Sequence, residues 1–192
     1  GLIIPIGNWV INEACRQLRE WHLQGHQSWS MAVNLSTLQF EQPSLVKTVL
    51  DCLALHQVPP EMLILEVTET TAMSNPDESV RVLTELTNAG VKASIDDFGT
   101  GYSSLLYLKR LPACELKIDR AFVKELSGES EDATIVSAIV ALAKTLNLKV
   151  VAEGVETEAQ QTFLTELGCN TLQGYLLGKP VSAQTIEALC AR

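Results

Sequence analysis

Short apolar segments alternate along the chain with longer stretches whose apolar residues recur at helical spacing. The short segments are mostly continuous in apolar content, which is typical of strands buried on both faces of a parallel sheet. We therefore predict six strands. They cover residues 31–35, 63–67, 93–95, 116–118, 149–152 and 171–172.

The stretches between the predicted strands carry helix start and stop signals. Pro76 opens one helix, which Gly90 ends. Thr157 and Gln160 form a capping-box pattern at the start of another, which ends at Gly168. Further helices are predicted over residues 8–23 and 45–56 and after Ser130. Repeated β–α units predict an α/β fold with a parallel sheet, and a (β/α) barrel or an open doubly wound sheet would fit this order.

Polar or ionisable residues lie at the carboxyl end of nearly every predicted strand. They are Asn34, Glu66, Glu69, Asp96, Asp97, Lys117, Asp119, Glu153, Glu156 and Gln173. In a (β/α) barrel these strand ends converge on one face, whereas an open sheet spreads them along a line. Six polar strand ends therefore favour a TIM-like barrel.

Four of these residues offer only oxygen ligands: Asn34, Glu66, Asp96 and Asp97. Two adjacent aspartates repel each other, and one takes up a proton unless a cation compensates. Oxygen-rich sites suit hard cations such as Mg²⁺, Mn²⁺ or Ca²⁺. Two such ions about 4 Å apart can hold the attacking and leaving oxygens of a phosphoryl displacement. The pattern therefore favours a two-metal site for phosphate chemistry.

Lys117 and Glu153 complete this hypothesis. The lysine would stabilise charge on the phosphate or hold a water, and the glutamate would orient that water or accept its proton. Each residue alone also has an ordinary structural interpretation. Asn34 could satisfy neighbouring backbone groups, the aspartates could form a turn, and Lys117 could make a structural ion pair. The joint occurrence of six such positions at corresponding strand ends favours a shared site.

Composition narrows the class of partner. The chain has 192 residues, 46% of them apolar, and a formal net charge of −9. This charge argues against binding to DNA or RNA and against direct contact with anionic membranes. No apolar run approaches the roughly 18 residues of a membrane span. The five scattered cysteines predict free thiols in a cytoplasmic domain, although the longer protein could be anchored in a membrane.

Several segments resemble the EAL family of bacterial cyclic di-GMP phosphodiesterases. They are VNLS (33–36), LEVTE (65–69), IDDFGTG (95–101), LKID (116–119), VAEGVE (151–156) and LQGY (172–175), with GKP (178–180) after them. They occur in family order across nearly the whole chain. The IDDFGTG and AEGVE segments together are highly specific.

The resemblance implies a (β/α) barrel with one strand running against the others. It also implies hydrolysis of cyclic di-GMP to linear pGpG with Mg²⁺ or Mn²⁺. By position, the metal ligands would be Asn34, Glu66, Asp96 and Asp97, and the pair that activates water would be Lys117 and Glu153. Glu69 would fix the loop that carries the aspartates, and the supporting or substrate-side groups would be Asp119, Glu156 and Gln173.

The Glu-Ala-Leu segment that names the family belongs on its first strand, and the start of this chain resembles family sequence that comes after that strand. We therefore expect residues 1–192 to form a single domain that is incomplete at its N-terminus. Such a chain would be less stable than a full domain, or would complete itself against another chain, because strand edges would stay unpaired. The alternative function is a catalytically impaired receptor or regulatory module that binds cyclic di-GMP. The resemblance also implies a homodimer and an upstream sensory or cyclase-like domain in the parent protein.

Overall fold

Six parallel strands form one curled sheet whose spatial order follows the sequence, β1-β2-β3-β4-β5-β6. The computed structural model describes residues 1–101, 105–126 and 130–190. Its strands are β1 (Met31–Leu35), β2 (Leu63–Thr68), β3 (Lys92–Phe98), β4 (Glu115–Ile118), β5 (Lys149–Ala152) and β6 (Thr171–Leu172). Helices connect them, so the predicted α/β class and the incomplete TIM-like barrel are confirmed. In the part of the chain described here every strand pair is parallel, and the expected reversed strand does not occur among them.

The long helices lie where the sequence pattern places them, with one extension. They are α1 (Ile3–Leu23), α3 (Leu45–His56), α5 (Pro76–Asn88), α8 (Glu131–Thr145), α9 (Glu158–Leu167) and α10 (Ala183–Cys190). Helix α1 begins five residues before the predicted start at Asn8. The predicted capping box of α9 is present, and Gly168 ends that helix with φ at 93°. Among residues 1–101, 105–126 and 130–190, no helix combines the length and apolar character needed to cross a bilayer.

Short helices follow several strands directly. They are α2 (Thr37–Phe40), α4 (Glu69–Ser74) and α7 (Arg120–Lys124). A fourth short helix, α6 (Leu105–Leu108), lies between β3 and β4, and a 3₁₀ turn over Pro60–Met62 precedes β2. Side chains of Ser36, Thr68 and Asp119 cap three of them. Helices α2, α4 and α7 begin within two positions of a strand end and turn the chain away there, so the last strand residues stay at one rim of the sheet.

The two faces of the sheet differ in chemistry. Leu65, Ile95 and Leu116 are completely buried in the layer between the sheet and the helices. The inner side of the curve instead carries polar side chains, among them Ser94 and Lys117, which are also buried. Buried polar groups require partners, so the inner face is where paired charges are found. The five cysteines are unpaired, as predicted.

Candidate active site

Lys117 lies at the centre of three carboxylates on the inner face. Its Nζ is 2.9 Å from Glu66 Oε1, 3.1 Å from Asp96 Oδ1 and 2.6 Å from Glu153 Oε1. The lysine side chain is only 5% exposed. Four consecutive strands or their ends, from β2 to β5, supply these side chains. The register therefore brings together residues that are up to 87 positions apart, from 66 to 153.

The electrostatics of this cluster keep Lys117 charged. Burial lowers the pKa of Lys117, but hydrogen bonds to Glu153 and Glu66 outweigh that effect and raise it above its ordinary value. Burial raises the pKa of Glu66, and the contact with Lys117 opposes that rise. A buried charge without a partner would be strongly destabilising. Lys117 is therefore a fixed cation and not a candidate proton acceptor.

Asp97 joins Asp96 at the same point of the rim through an irregularity in β3. Neighbouring side chains of a regular strand point to opposite faces. Here the pairing of β3 with β4 shifts between Ile95 and Phe98, and Asp97 has a left-handed φ of 53°. The result is an acidic group of Asp96, Asp97 and Glu153 whose oxygens lie within 4.8 Å of one another.

This acidic group fits a hard divalent cation. Burial raises the pKa of Asp97, and the neighbouring charges of Asp96 and Asp119 raise it further. A cation would relieve this repulsion, and all donors are carboxylate oxygens, which Mg²⁺ and Mn²⁺ prefer. The prediction that Asp96 and Asp97 follow the third strand is wrong in one respect: both residues belong to β3. The polar inner face accommodates their carboxylates, so the strand continues through them.

Asn34 lies beside Glu66, because the two residues are register partners on β1 and β2. Its side chain is exposed, unlike that of Glu66. A groove of about 750 Å³ passes alongside, and Ile6, Val10 and Ala32 are among the residues that line it. Asn34 therefore lies at the same level of the sheet as Glu66, with its side chain exposed to solvent.

Glu69 and Asp119 each accept a hydrogen bond from a backbone N–H group at the rim. Glu69, only 2% exposed, accepts a hydrogen bond at 2.8 Å from the backbone N–H of Gly99, just after β3. Asp119 caps α7 by accepting a hydrogen bond at 2.8 Å from the Ala121 N–H. Both residues fix backbone that immediately follows a strand carrying site residues.

Glu156 and Gln173 lie further out. Both side chains are exposed, and neither contacts Lys117 directly among the described interactions. Their segments are nevertheless joined, because the Val155 N–H donates to the Gln173 carbonyl at 3.0 Å. Both side chains therefore lie outside the group of charges that surrounds Lys117.

One residue was not singled out from sequence as part of the site. Gln160 was assigned only to the start of a helix, yet its buried side chain reaches the end of α7. The capping-box pattern revealed the local role of Gln160 and carried no signal for the distant contact.

Comparison with known proteins decides the family. The family model described as EAL domain matches residues 1–180. The chain belongs to the EAL domain family. The sequence-based resemblance is thereby confirmed.

Two curated relatives of this EAL domain are from Pseudomonas aeruginosa. The bifunctional diguanylate cyclase/cyclic di-GMP phosphodiesterase MucR is 63% identical over 191 residues, covering 100% of this chain and 28% of MucR. The cyclic di-GMP phosphodiesterase NbdA is 45% identical over 187 residues, covering 97% of this chain and 23% of NbdA. The chain thus spans about a quarter of the length of these relatives.

Solved structures agree with the fold. The MucR phosphodiesterase in complex with cyclic di-GMP matches with a TM-score of 0.94 at 63% identity, covering 97% of this chain and 75% of that chain. The EAL domain of Mycobacterium smegmatis DcpA matches with a TM-score of 0.91 at 39% identity, covering 96% of this chain and 83% of that one.

Proposed function

We propose that this EAL domain hydrolyses cyclic di-GMP to linear pGpG with Mg²⁺ or Mn²⁺. The observation that carries the proposal is the cluster in which Lys117 meets Glu66, Asp96 and Glu153, with Asp97 at its edge. The names of MucR and NbdA support the substrate, as does the cyclic di-GMP bound in the MucR structure.

The reaction adds a water oxygen to phosphorus and breaks one phosphorus–oxygen ester bond, and the leaving sugar oxygen takes up a proton. Glu153 is the proposed proton acceptor, since its half-buried carboxylate lies beside Asp96 and Asp97, where a cation and its water would be held. Lys117 would stabilise negative charge that develops on the phosphate, because its raised pKa keeps it protonated.

The proposed metal ligands are Asn34, Glu66, Asp96 and Asp97. Divalent cations held there would supply positive charge beside the phosphate and favour ionisation of a nearby water. Glu69 would hold the aspartate segment through Gly99. Asp119, Glu156 and Gln173 would support the rim or contact the nucleotide.

A receptor without turnover is the second candidate. Lys117 already pairs with three carboxylates without an added ion, and its single charge offsets part of theirs. A site that side chains alone hold together in this way can persist as a binding surface without metal. The proposal also includes a cytoplasmic location, a homodimer and an upstream sensory or cyclase-like domain. The bifunctional name of MucR supports the cyclase-like domain.

One assay separates the two candidates. The chain, and a version extended upstream, are incubated with cyclic di-GMP and Mn²⁺, and pGpG is followed. Turnover that is lost in Glu153→Ala and Asp96→Asn supports the hydrolase. Tight binding without turnover in both lengths supports the receptor. Neither binding nor turnover in either length would overturn both proposals.

A further inference from the structure

The side chain of Gln160 bridges two rim segments that the strands do not join. Gln160 is the third residue of α9 and is only 5% exposed. Its Oε1 accepts hydrogen bonds from the backbone N–H groups of Glu156 at 2.8 Å and Thr157 at 3.0 Å. Its Nε2 donates to the carbonyls of Val123 at 2.9 Å and Lys124 at 3.2 Å. One amide group therefore connects the loop after β5 with the end of α7.

Each of these segments follows a residue of the cluster. Helix α7 begins three residues after Lys117, and the loop after β5 begins with Glu153. Strands β4 and β5 hold Lys117 and Glu153 together. A hydrogen bond at 3.2 Å from the Glu153 N–H to the Ile118 carbonyl continues this pairing past the end of β5. Beyond that point the backbone leaves the sheet at Gly154, which has a left-handed φ of 73°.

Close packing restricts the path of the chain at this point. A Cβ added at Gly154 would lie 2.6 Å from the Arg120 Cβ, so the loop passes directly over the start of α7. At the far end of the loop, Gln160 is the side chain that binds both partners. The short loop from Glu153 to Thr157 is therefore held at one end by the sheet, in the middle by backbone hydrogen bonds of Val155 to Gln173 and Leu176, and at the other end by Gln160.

We propose that Gln160 is a positioning residue for the reaction, one that keeps the Glu153 carboxylate against Lys117 by joining the loop after β5 to α7. This inference rests on the proposed hydrolase function. Gln160 acts through backbone groups and does not touch the reacting atoms. A displacement of the Glu153 loop would lengthen its 2.6 Å contact with Lys117, and errors of about 1 Å can cost a factor of about 100 in rate.

The two halves of the amide can be separated by substitution. A capping box accepts either Gln or Glu at this helix position, and negative charge near a helix N-terminus is favourable. Gln160→Glu therefore keeps the acceptor for Glu156 and Thr157 but replaces the donor facing Val123 and Lys124. Gln160→Met removes both halves while staying neutral and similar in shape. The link to α7 is the one interaction that the two variants both lose.

Two control variants isolate this link. Thr157→Ala removes the other half of the capping box, the Oγ1 that accepts from the Gln160 N–H at 3.2 Å, without touching α7. It measures how activity responds to a weaker start of α9. Gln161→Glu adds the same charge one residue further along the helix, at a position with intermediate exposure.

The experiment compares kcat, KM and Tm of the parent and the four variants, with cyclic di-GMP and Mn²⁺. It uses the version extended upstream, or the chain itself where only the chain turns over substrate. We expect Gln160→Glu and Gln160→Met to lower kcat by at least about tenfold with KM changed by less than about threefold. Thr157→Ala should lower Tm with kcat nearly unchanged, and Gln161→Glu should match the parent in both.

Three outcomes would overturn the positioning role. The first is a folded Gln160 variant with kcat within twofold of the parent. The second is a loss of kcat no larger, for the same loss of Tm, than the loss measured in Thr157→Ala. The third is failure of both Gln160 variants to fold, which would assign the residue to the fold alone. Absence of turnover in the parent itself would instead refute the proposed function.

Discussion

Glu69 Oε2 accepts a hydrogen bond at 2.8 Å from the backbone N–H of Gly99. The two residues begin α4 and follow β3, so the bond joins neighbouring rim segments across 30 positions of sequence. Gly99 has a left-handed φ of 99°, which orients its N–H toward the buried carboxylate. The segment that carries Asp96 and Asp97 is thus tied at its carboxyl end to a group outside the acidic cluster.

Loss of the Glu69 acceptor should loosen this segment. Glu69→Ala leaves the Gly99 N–H without its partner, and we expect the free energy of unfolding to fall by about 1–3 kcal/mol. Glu69→Gln keeps a neutral acceptor, so its loss should be smaller because charge-assisted hydrogen bonds are stronger. Urea unfolding measures both variants. The exposed Glu166→Ala is the control, and equal stability of Glu69→Ala and Glu166→Ala would contradict the role.

A methyl group at residue 101 should disturb the same carboxylate by steric contact. A Cβ on Gly101 would lie 2.8 Å from Glu69 Oε1. We expect Gly101→Ala to displace Glu69 and to lower cyclic di-GMP hydrolysis by about tenfold or more, since small displacements at a reacting site are costly. Gly178→Ala is the matched control, because nothing lies within 4 Å of its added Cβ. Parent-like kcat in Gly101→Ala would argue against any need to keep Glu69 in place.

Removal of the central cation should destabilise the metal-free chain. Lys117→Met leaves Glu66, Asp96 and Glu153 together without a positive charge, and breaking a buried ion pair typically costs about 3–5 kcal/mol. We expect this loss in urea unfolding with EDTA. Added Mn²⁺ should restore more stability to the variant than to the parent, because it replaces the missing charge.

Lys92→Met provides the control for this substitution, since Lys92 is exposed at the start of β3. It removes one positive charge at the opposite end of the sheet from the site. Similar unfolding midpoints for Lys117→Met and Lys92→Met in EDTA would show that the cluster does not depend on its lysine.

Much of the fold follows from hydrophobic pattern because the strands are short, apolar and separated by capped helices. The predicted bounds of β1, β5 and β6 match the structure. The end of β3 does not, because Asp96 and Asp97 look like a strand terminus when hydropathy is the guide. Their side chains face a polar interior with Lys117 at its centre, so the strand continues to Phe98.

The short helices were also missed for a physical reason. Helices α2, α4 and α7 have four to six residues, too few for an apolar period to appear. Side-chain caps from Ser36, Thr68 and Asp119 stabilise them instead. In the same way, convergence of the polar strand ends could be predicted, but the three partners of Lys117 could not, since they depend on the register of four strands.

The backbone at residue 97 limits which substitutions test the charge of that residue. Asn tolerates the left-handed φ of 53° nearly as well as Asp, whereas Ala does not. Asp97→Asn therefore removes the negative charge while keeping the geometry. Asp97→Ala is the comparison that loses both, and the difference between the two variants reports backbone strain.

Asp97→Asn should stabilise the metal-free chain at neutral pH. Burial and the charges of Asp96 and Asp119 raise the pKa of Asp97 in the folded chain, so folding favours its protonated form. The stability linked to that proton is complete below the unfolded pKa and is lost as pH rises through the raised folded pKa. The amide stays neutral at every pH, so the advantage of Asp97→Asn in EDTA should be greatest at neutral pH and shrink on acidification. Mn²⁺ should reverse the order at neutral pH, because the carboxylate is the better ligand. Urea midpoints across pH, with EDTA or Mn²⁺, test both signs, and an advantage that grows toward acidic pH would contradict the raised pKa.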